Sequence, residues 1–488
     1  MQSGLDALKW FCLELLSESS PNNKRNRLKT EGPCVKPCQV FREFIKALIP
    51  ASSMAPFIQD EPPVADISTR KTARTAVDPK ADPRNLEPLV RSQDTVNEIA
   101  FGLEVKCIMP LLIQGEADPE GDVNRRPVCH TKVGDSEESR RRLAYDSVAK
   151  TIGKTGEKAT TILSIMKNGL NEREYWPSHW IVKKANSAEP SEDQKLLKGY
   201  VWIPIEISSP KMIAKDPETL VRVARVLDAL SRGPRIATNY TCDVHVHLGR
   251  MDGQSFSLPT LKRLGHLLWF AEPTLRSIRD PASPNYHNFY TWGAELRKHS
   301  RLATQIREVE LEGDLAGPTA FSAHKALQDS GLVVDQTPKD WQALRTIWKA
   351  SSETELGRLL SGEGRQFRRL GFNFSAFGME DERARSNPRT VEIRIMEGTM
   401  RSDLVVGWLV ICSTLVEVAI LRLDGRFLKT INRFLRQSTE EAHGDGCTED
   451  TSETSGQHWG RKFRQLMDDL GIPGYQYKSL EEKVRREN

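Results

Sequence analysis

The sequence has 488 residues, of which 38% are hydrophobic and 28% charged, and its formal net charge is +4. A chain of this length is able to bury a sizeable core, and its nearly balanced charge predicts neither a nucleic-acid-binding nor a membrane-binding surface. Residues 1–95 contain two short helical patterns and then a stretch rich in Pro, Asp and Arg without periodicity, so we expect a largely disordered N-terminal segment. That segment lacks the pattern of a secretory signal, which favours a cytoplasmic protein.

Eight cysteines are scattered along the chain, as expected in a reducing compartment. Cys34 and Cys38 form a single C-x₃-C pair, which is a weak metal-binding signal by itself. Cys107, Cys242 and Cys412 lie within apolar runs, where cysteine behaves as a small core residue. We therefore assign the cysteines no catalytic role.

Residues 96–435 alternate strand and helix patterns and form the predicted folded domain, with a charged insertion at 115–142. One helix is predicted to begin after Asp216, a suitable N-cap, with Pro217 at its first position. Strands followed by covering helices predict an α+β fold. Residues 436–488 are predicted to be a flexible linker followed by short C-terminal helices.

The longest apolar run, LVVGWLVICSTLVEVAIL at 404–421, is long enough to span a membrane. It contains Glu417 and follows Asp403, which suits a helix N-cap, and the sequence has no second run of this kind. We therefore interpret it as a buried central helix.

Four strand patterns alternate apolar with polar residues, which places each kind on its own face of a sheet. They are FGLEVKC at 101–107, VWIPIEI at 201–207, DVHVHLG at 243–249 and VEIRI at 391–395. Their apolar faces require a cover of helices. The opposite faces carry Glu104, Lys106, Glu206, Asp243, His245, His247, Glu392 and Arg394.

This set of charged residues is unusual for a solvated face. Carboxylates and imidazoles brought together from separate strands are costly unless a cation lies between them. Such ligands suit Mg²⁺ or Mn²⁺, and an arginine such as Arg394 binds phosphate oxygens through its planar fork of donors. A single H-x-H is most often a coincidence, and a single E-x-R is most often a cross-strand ion pair. The four patterns together favour a metal and phosphate site.

The segments FGLEV, IEISSP, DVHVHLG with LLWFAEPTLRSI after it, and VEIRIMEGTM occur in this order over about residues 98–425. In this order they resemble the amidoligase family of the glutamine synthetase-like carboxylate–amine ligase superfamily. The resemblance implies a largely antiparallel, funnel-like sheet with helices on its outer face, which binds ATP and Mg²⁺ (or Mn²⁺) on the concave face. It also implies a catalytic domain at 96–435 that joins a small-molecule or peptide carboxylate to an amine through an acyl phosphate.

The resemblance also implies a role for each matching residue. The implied metal ligands are Glu104, Glu206, His247 and Glu392. The implied catalytic and nucleotide-binding residues are Arg394, His245 and Lys106. The implied substrate contacts are Asn373, Glu397 and Thr399.

The sequence departs from the family pattern at two positions. Lys106 stands where the family has a second acid in its first strand, and Ala185 stands where an Asp is expected. Lys106 either binds a phosphate itself, which leaves a site with fewer metals, or marks a weakened or inactive enzyme.

Two alternatives to the ligase therefore stay open at this point. One is a catalytically decayed relative whose tails bind partners. The other is a zinc hydrolase that uses His245, His247 and a carboxylate such as Glu206, although a third histidine is missing. The sequence does not identify the acid or the amine; the Tyr, Asn and Trp residues within 282–300 either line a pocket or pack in the core.

Overall fold

The computed structural model describes residues 94–286, 293–312, 338–364, 368–378, 388–421, 425–443 and 453–488. The predicted disordered segment at 1–95 lies almost wholly outside these residues, and so do Cys34 and Cys38. Parts of 282–300 and of the predicted linker at 436–488 also lie outside them.

In the described residues, nine strands form one sheet. The strands are β1 (Ile99–Ile113), β2 (Cys129–Thr131), β3 (Ala159–Thr161), β4 (Trp180–Lys183), β5 (Tyr200–Ser208), β6 (Met212–Ile213), β7 (Asp243–Arg250), β8 (Phe372–Asn373) and β9 (Val391–Glu397). Their order is β3-β4-β5-β1-β7-β9-β8, and β2 and β6 also pair with β1.

The long strand β1 is the centre of the sheet. It pairs in antiparallel orientation with β5 and β7, and β9 and β8 continue the antiparallel order beyond β7. The pairs β1–β2 and β3–β4 are parallel. The sheet is therefore mixed and open, with antiparallel pairs through its centre.

Helices lie between and after the strands. They are α1 (Glu137–Gly153), α2 (Ile162–Lys167), α3 (Glu192–Leu196), α4 (Pro217–Arg232), α5 (Leu258–Arg276), α6 (Leu296–His299), α7 (Arg301–Glu312), α8 (Pro338–Lys349), α9 (Glu353–Leu359), α10 (Ser375–Gly378), α11 (Ser402–Ile420), α12 (Arg426–His443), α13 (Ser455–Leu470) and α14 (Gly474–Glu487). Short 3₁₀ turns occupy Val96–Glu98 and Glu172–Glu174.

The apolar face of the sheet is buried beneath helices. Phe101, Leu103 and Val105 of β1 are at most 1% exposed, as are Val244 and Val246 of β7. Helix α11 packs on β1 and β7, α1 packs on β5, and α4 and α5 pack against α11. Each fully buried aliphatic side chain contributes about 1.5–3 kcal/mol, so this layer holds the sheet in place. The predicted α+β class is confirmed.

Helix α11 is the predicted buried central helix. In the part of the chain that the structure describes, it is the one helix long and apolar enough to cross a membrane, and 72% of its most apolar window is buried inside the protein. The predicted N-cap was wrong by two residues, because Arg401 is the N-cap and Asp403 lies in the first turn. An acidic side chain is favourable there too, since it faces the positive end of the helix dipole.

Helix α4 begins as predicted. Asp216 is its N-cap and accepts a hydrogen bond from the backbone N–H of Glu218, and Pro217 follows at the first position. Leu220, Val223, Leu227 and Leu230 are all buried.

The charged insertion at 115–142 contains β2 and the start of α1. The guanidinium of Arg235, which is 3% exposed, anchors it. Arg235 donates to Asp118 Oδ1 (2.7 Å) and to the backbone carbonyls of Asn124 (2.5 Å) and Arg126 (3.1 Å). One buried guanidinium group thus donates hydrogen bonds to several oxygens of this insertion.

Candidate active site

Strand register places the polar residues of neighbouring strands side by side. The directly paired residues are Lys183, Glu206 and Lys106 across β4, β5 and β1; Glu104 and His245 across β1 and β7; and His247, Glu392 and Asn373 across β7, β9 and β8. Residues that pair directly across strands have side chains on the same face. The alternation read from the sequence is therefore confirmed, and one face carries these charges.

A bulge between β7 and β9 determines which side chains at the end of β9 lie on the polar face of the sheet. Val246 pairs with Ile393, but Val244 pairs with Met396, so β9 has one extra residue in this interval. A bulge of this kind shifts the alternation by one residue. As a result Met396 is buried on the apolar side, and Glu397 pairs with Asp243 on the same face as His245.

Three side chains from adjacent strands form a candidate metal site. Donor atoms of Glu104, His247 and Glu392 all lie within 4.8 Å of one another. His247 Nε2 is 3.5 Å from Glu104 Oε1 and 3.6 Å from Glu392 Oε1. This buried nitrogen has no hydrogen-bond partner among the described residues. Two carboxylates and one imidazole suit Mg²⁺ or Mn²⁺, so the donor set fits the predicted metal.

His245 lies beneath this group and connects it to Lys106. Its Nδ1 is 3.4 Å from Glu104 Oε2 and 3.3 Å from Glu392 Oε1. Its Nε2 is 3.5 Å from Lys106 Nζ and 3.9 Å from Asp243 Oδ2. At 1% exposure, the ring is a buried bridge between the candidate metal ligands and the lysine.

Electrostatics keep the two acids of the metal group ionised. Burial alone would raise the pKa of Glu104, but the charge of His247 and the hydrogen bond with His245 outweigh it and hold that pKa well below its usual value. Arg394, which forms an ion pair with Glu392, and the two histidines likewise outweigh burial and lower the pKa of Glu392. In the opposite direction, the two carboxylates outweigh the burial of His247 and raise its pKa to about 9. The two carboxylates are therefore ionised, and His247 and Arg394 are the positive groups beside them.

Glu206, a predicted metal ligand, lies on the same face but outside this three-residue group. Its Oε1 is 3.3 Å from Lys183 Nζ, which also contacts Glu172 at 2.9 Å. Burial, and then the neighbouring charge of Glu104, raise the pKa of Glu206. Lys183 was missed at the sequence level, although the alternation in WIVK places it on the polar face of β4.

Lys106 is buried on the polar face, 4% exposed. Burial lowers the pKa of Lys106, and Arg394 acts in the same direction, while Asp243 and Glu206 oppose the shift. The second departure, Ala185, lies in an apolar cluster with Ile108 and Cys242. An acid at that position would have no polar surroundings in this cluster.

The three predicted substrate contacts have different surroundings. Asn373 donates from Nδ2 to Glu392 Oε2 (2.8 Å) and therefore helps to orient a candidate metal ligand. Thr399 Oγ1 accepts from the backbone N–H of Arg401 (3.1 Å), at the start of α11. Glu397 Oε2 is 3.1 Å from Lys483 Nζ of α14. Lys483 was also missed, because no local pattern connects residues so far apart in the sequence.

Comparison with known proteins locates the resemblance within the chain. A family model described as "Putative amidoligase enzyme" matches residues 128–309, and no curated protein matches the chain. The matched range contains Glu206, His245 and His247, whereas Glu104 precedes it and Glu392 follows it. The resemblance inferred from the motifs is thus confirmed, and residues 128–309 carry the sequence pattern of the amidoligase enzymes.

Proposed function

We propose that the protein is an ATP- and divalent-cation-dependent carboxylate–amine ligase that acts through an acyl phosphate. The family match indicates a ligase. The observation that supports the finer proposal is the convergence of Glu104, His247 and Glu392, with Arg394 paired to Glu392. We further propose that the open sheet is the floor of a funnel of the glutamine synthetase type, in a cytoplasmic enzyme.

Mg²⁺ or Mn²⁺ would be held by Glu104, His247 and Glu392. When bound, it would neutralise phosphate charge, so that an anionic carboxylate is able to approach the γ-phosphorus of ATP. Nε2 of His247, which would lose its proton on metal binding, and the two ionised carboxylates would supply the donors that such an ion needs.

The side chains of the chain itself bind and orient the reactants. Arg394 would bind the transferring phosphoryl group, and its ion pair with Glu392 holds the guanidinium in place. His245 and Lys106 would contact the other phosphate oxygens from the floor of the site. Asn373 hydrogen-bonds the second oxygen of Glu392 and so fixes that carboxylate.

The proposed reaction has two balanced steps. A carboxylate oxygen of the first substrate forms a bond to the γ-phosphorus while the bond to the ADP oxygen breaks. The amine of the second substrate then attacks the acyl carbon, phosphate leaves, and the amine nitrogen loses a proton. The substrates are a small-molecule or peptide carboxylate and an amine, and the enzyme forms no covalent bond to either.

Calorimetric titration of ATP into the full chain, with and without Mg²⁺, tests the proposal. The wild type should bind ATP in a metal-dependent manner, and His247→Ala should weaken that binding at least about tenfold because a metal ligand is lost. His130→Ala, an exposed histidine in β2, is the control and should bind as the wild type does.

Absence of ATP binding by the wild type with both Mg²⁺ and Mn²⁺ would contradict the proposal. It would support the alternative of a catalytically decayed relative that binds protein partners. Stoichiometric zinc in the purified protein would support the hydrolase.

A further inference from the structure

The polar face holds two groups of the same composition. Each consists of two carboxylates and one imidazole, a set of donors typical of cation sites. The first group is Glu104, Glu392 and His247, whose donor atoms lie together. The second is Glu206, Asp243 and His245, which surround Lys106. The groups differ in the fixed positive charges beside them.

The first group has an acid without a lysine or arginine partner in the part of the chain that the structure describes. Glu104 has no lysine or arginine at ion-pair distance in the described ranges, and its close contacts are to His245 and His247. Glu392 is paired with Arg394 on one oxygen and with Asn373 on the other. Among the described residues, a divalent cation beside Glu104 therefore meets the imidazoles of His245 and His247 but no ammonium or guanidinium group at ion-pair distance from that carboxylate.

The second group already contains a cation. Lys106 Nζ is 3.5 Å from His245 Nε2, and Lys106 pairs directly with Glu206 across β1 and β5. Asp243 is among the charges that act on this ammonium. Asp243 is 1% exposed, and its Oδ2 has no hydrogen-bond partner within the described part of the molecule. That oxygen is 3.9 Å from His245 Nε2.

A second lysine adds to this positive charge. Lys183 Nζ is 3.3 Å from Glu206 Oε1, so Glu206 lies between two lysines, one on each neighbouring strand. A divalent metal ion in the second group would have to displace or approach both ammonium groups. Like charges at such distances disfavour its binding.

We propose that the site takes one divalent cation, at Glu104, His247 and Glu392, and that the ammonium of Lys106 permanently occupies the second cation position. This inference rests on the proposed function and specifies its metal content. The lysine supplies a fixed positive charge to the nucleotide phosphates, so that a single metal ion is sufficient. Glu206 is then a partner of lysines and not a metal ligand.

Counting bound Mn²⁺ per chain tests the inference. Mn²⁺ alone is titrated into the full chain, and free Mn²⁺ is measured by electron paramagnetic resonance. The wild type should bind one ion and His247→Ala none. Lys106→Met removes the internal cation and should raise the count to two, whereas Lys106→Arg keeps the charge and should stay at one. Lys183→Met is the matched control, a half-buried lysine on the same face, and should also stay at one.

The outcomes separate this inference from the proposed function. Two ions in the wild type, or one in a folded Lys106→Met variant, would overturn the inference and leave the ligase proposal intact. No ion in the wild type would remove the metal site itself, and with it both proposals. If Lys106→Met lacks a cooperative thermal transition, Lys106→Gln takes its place, and the wild-type count alone still decides between one cation and two.

Discussion

Glu272 lies in helix α5, and its carboxyl group is buried. It is 1% exposed and accepts hydrogen bonds from the backbone N–H groups of Leu296 (2.7 Å) and Arg297 (2.8 Å). These donors belong to the first turn of α6 and have no acceptor within that helix. Burial raises the pKa of Glu272 to about 7. Glu272 therefore fixes the start of α6 while it titrates near neutral pH.

This pKa predicts a pH-dependent stability. Between pH about 4.5 and 7 the folded state holds this proton more firmly than the unfolded state, so the contribution of Glu272 to stability falls as the pH rises. The full change is at most about 3 kcal/mol. Glu272→Gln cannot ionise, so its melting temperature relative to the wild type should increase from pH 5 to pH 8.

Thermal unfolding at several pH values measures this difference. Glu138→Gln, which changes an exposed glutamate of α1, is the control and should follow the wild-type profile. A difference between Glu272→Gln and the wild type that does not vary with pH would show that Glu272 has an ordinary pKa in the folded protein.

At the scale of elements, the close approach of α14 to α11 depends on a glycine. A Cβ built on Gly407 would lie 2.8 Å from the backbone carbonyl oxygen of Gln476. Backbone atoms cannot rotate away as a flexible side chain does, so any larger residue would push the helices apart. The contact explains why an otherwise apolar helix carries glycine at this position.

Gly407→Ala should therefore destabilise the protein by about 1–3 kcal/mol, the usual cost of overpacking. Chemical denaturation monitored by circular dichroism measures the loss. Gly153→Ala, at the end of α1, is the matched control, because no described atom lies within 4 Å of its Cβ. It should be neutral or stabilising by up to about 1 kcal/mol. Equal effects at both glycines would rule out the steric explanation.

At the scale of the whole molecule, the last two helices pack onto the sheet domain. Helix α13 packs against α5, α14 packs against α11, and Lys483 of α14 forms an ion pair with Glu397 of β9. Leu480 is completely buried in α14. We therefore expect the C-terminal helices and the sheet to unfold as one cooperative unit.

Leu480→Ala tests this expectation. Loss of a buried leucine side chain should cost about 2–5 kcal/mol and lower one common unfolding transition. Calorimetry, with near-ultraviolet circular dichroism of the core tryptophans, follows that transition. Leu196→Ala, at a position that is 75% exposed, is the control and should leave it unchanged. A separate early transition, with the sheet unaffected, would show that the helices are an independent unit.

The sequence by itself determined the α+β class, the buried helix α11 and the polar face of the sheet. These features depend on local periodicity, because alternation in VEIRI or DVHVHLG and continuous apolarity at 404–421 are visible within one element. The tertiary structure alone decided which charges meet. Strand register placed Lys183 beside Glu206, and the bulge in β9 paired Glu397 with Asp243. Helix packing brought Lys483 of α14 to Glu397. Such contacts join residues far apart in the chain, and no local pattern encodes the register that brings them together.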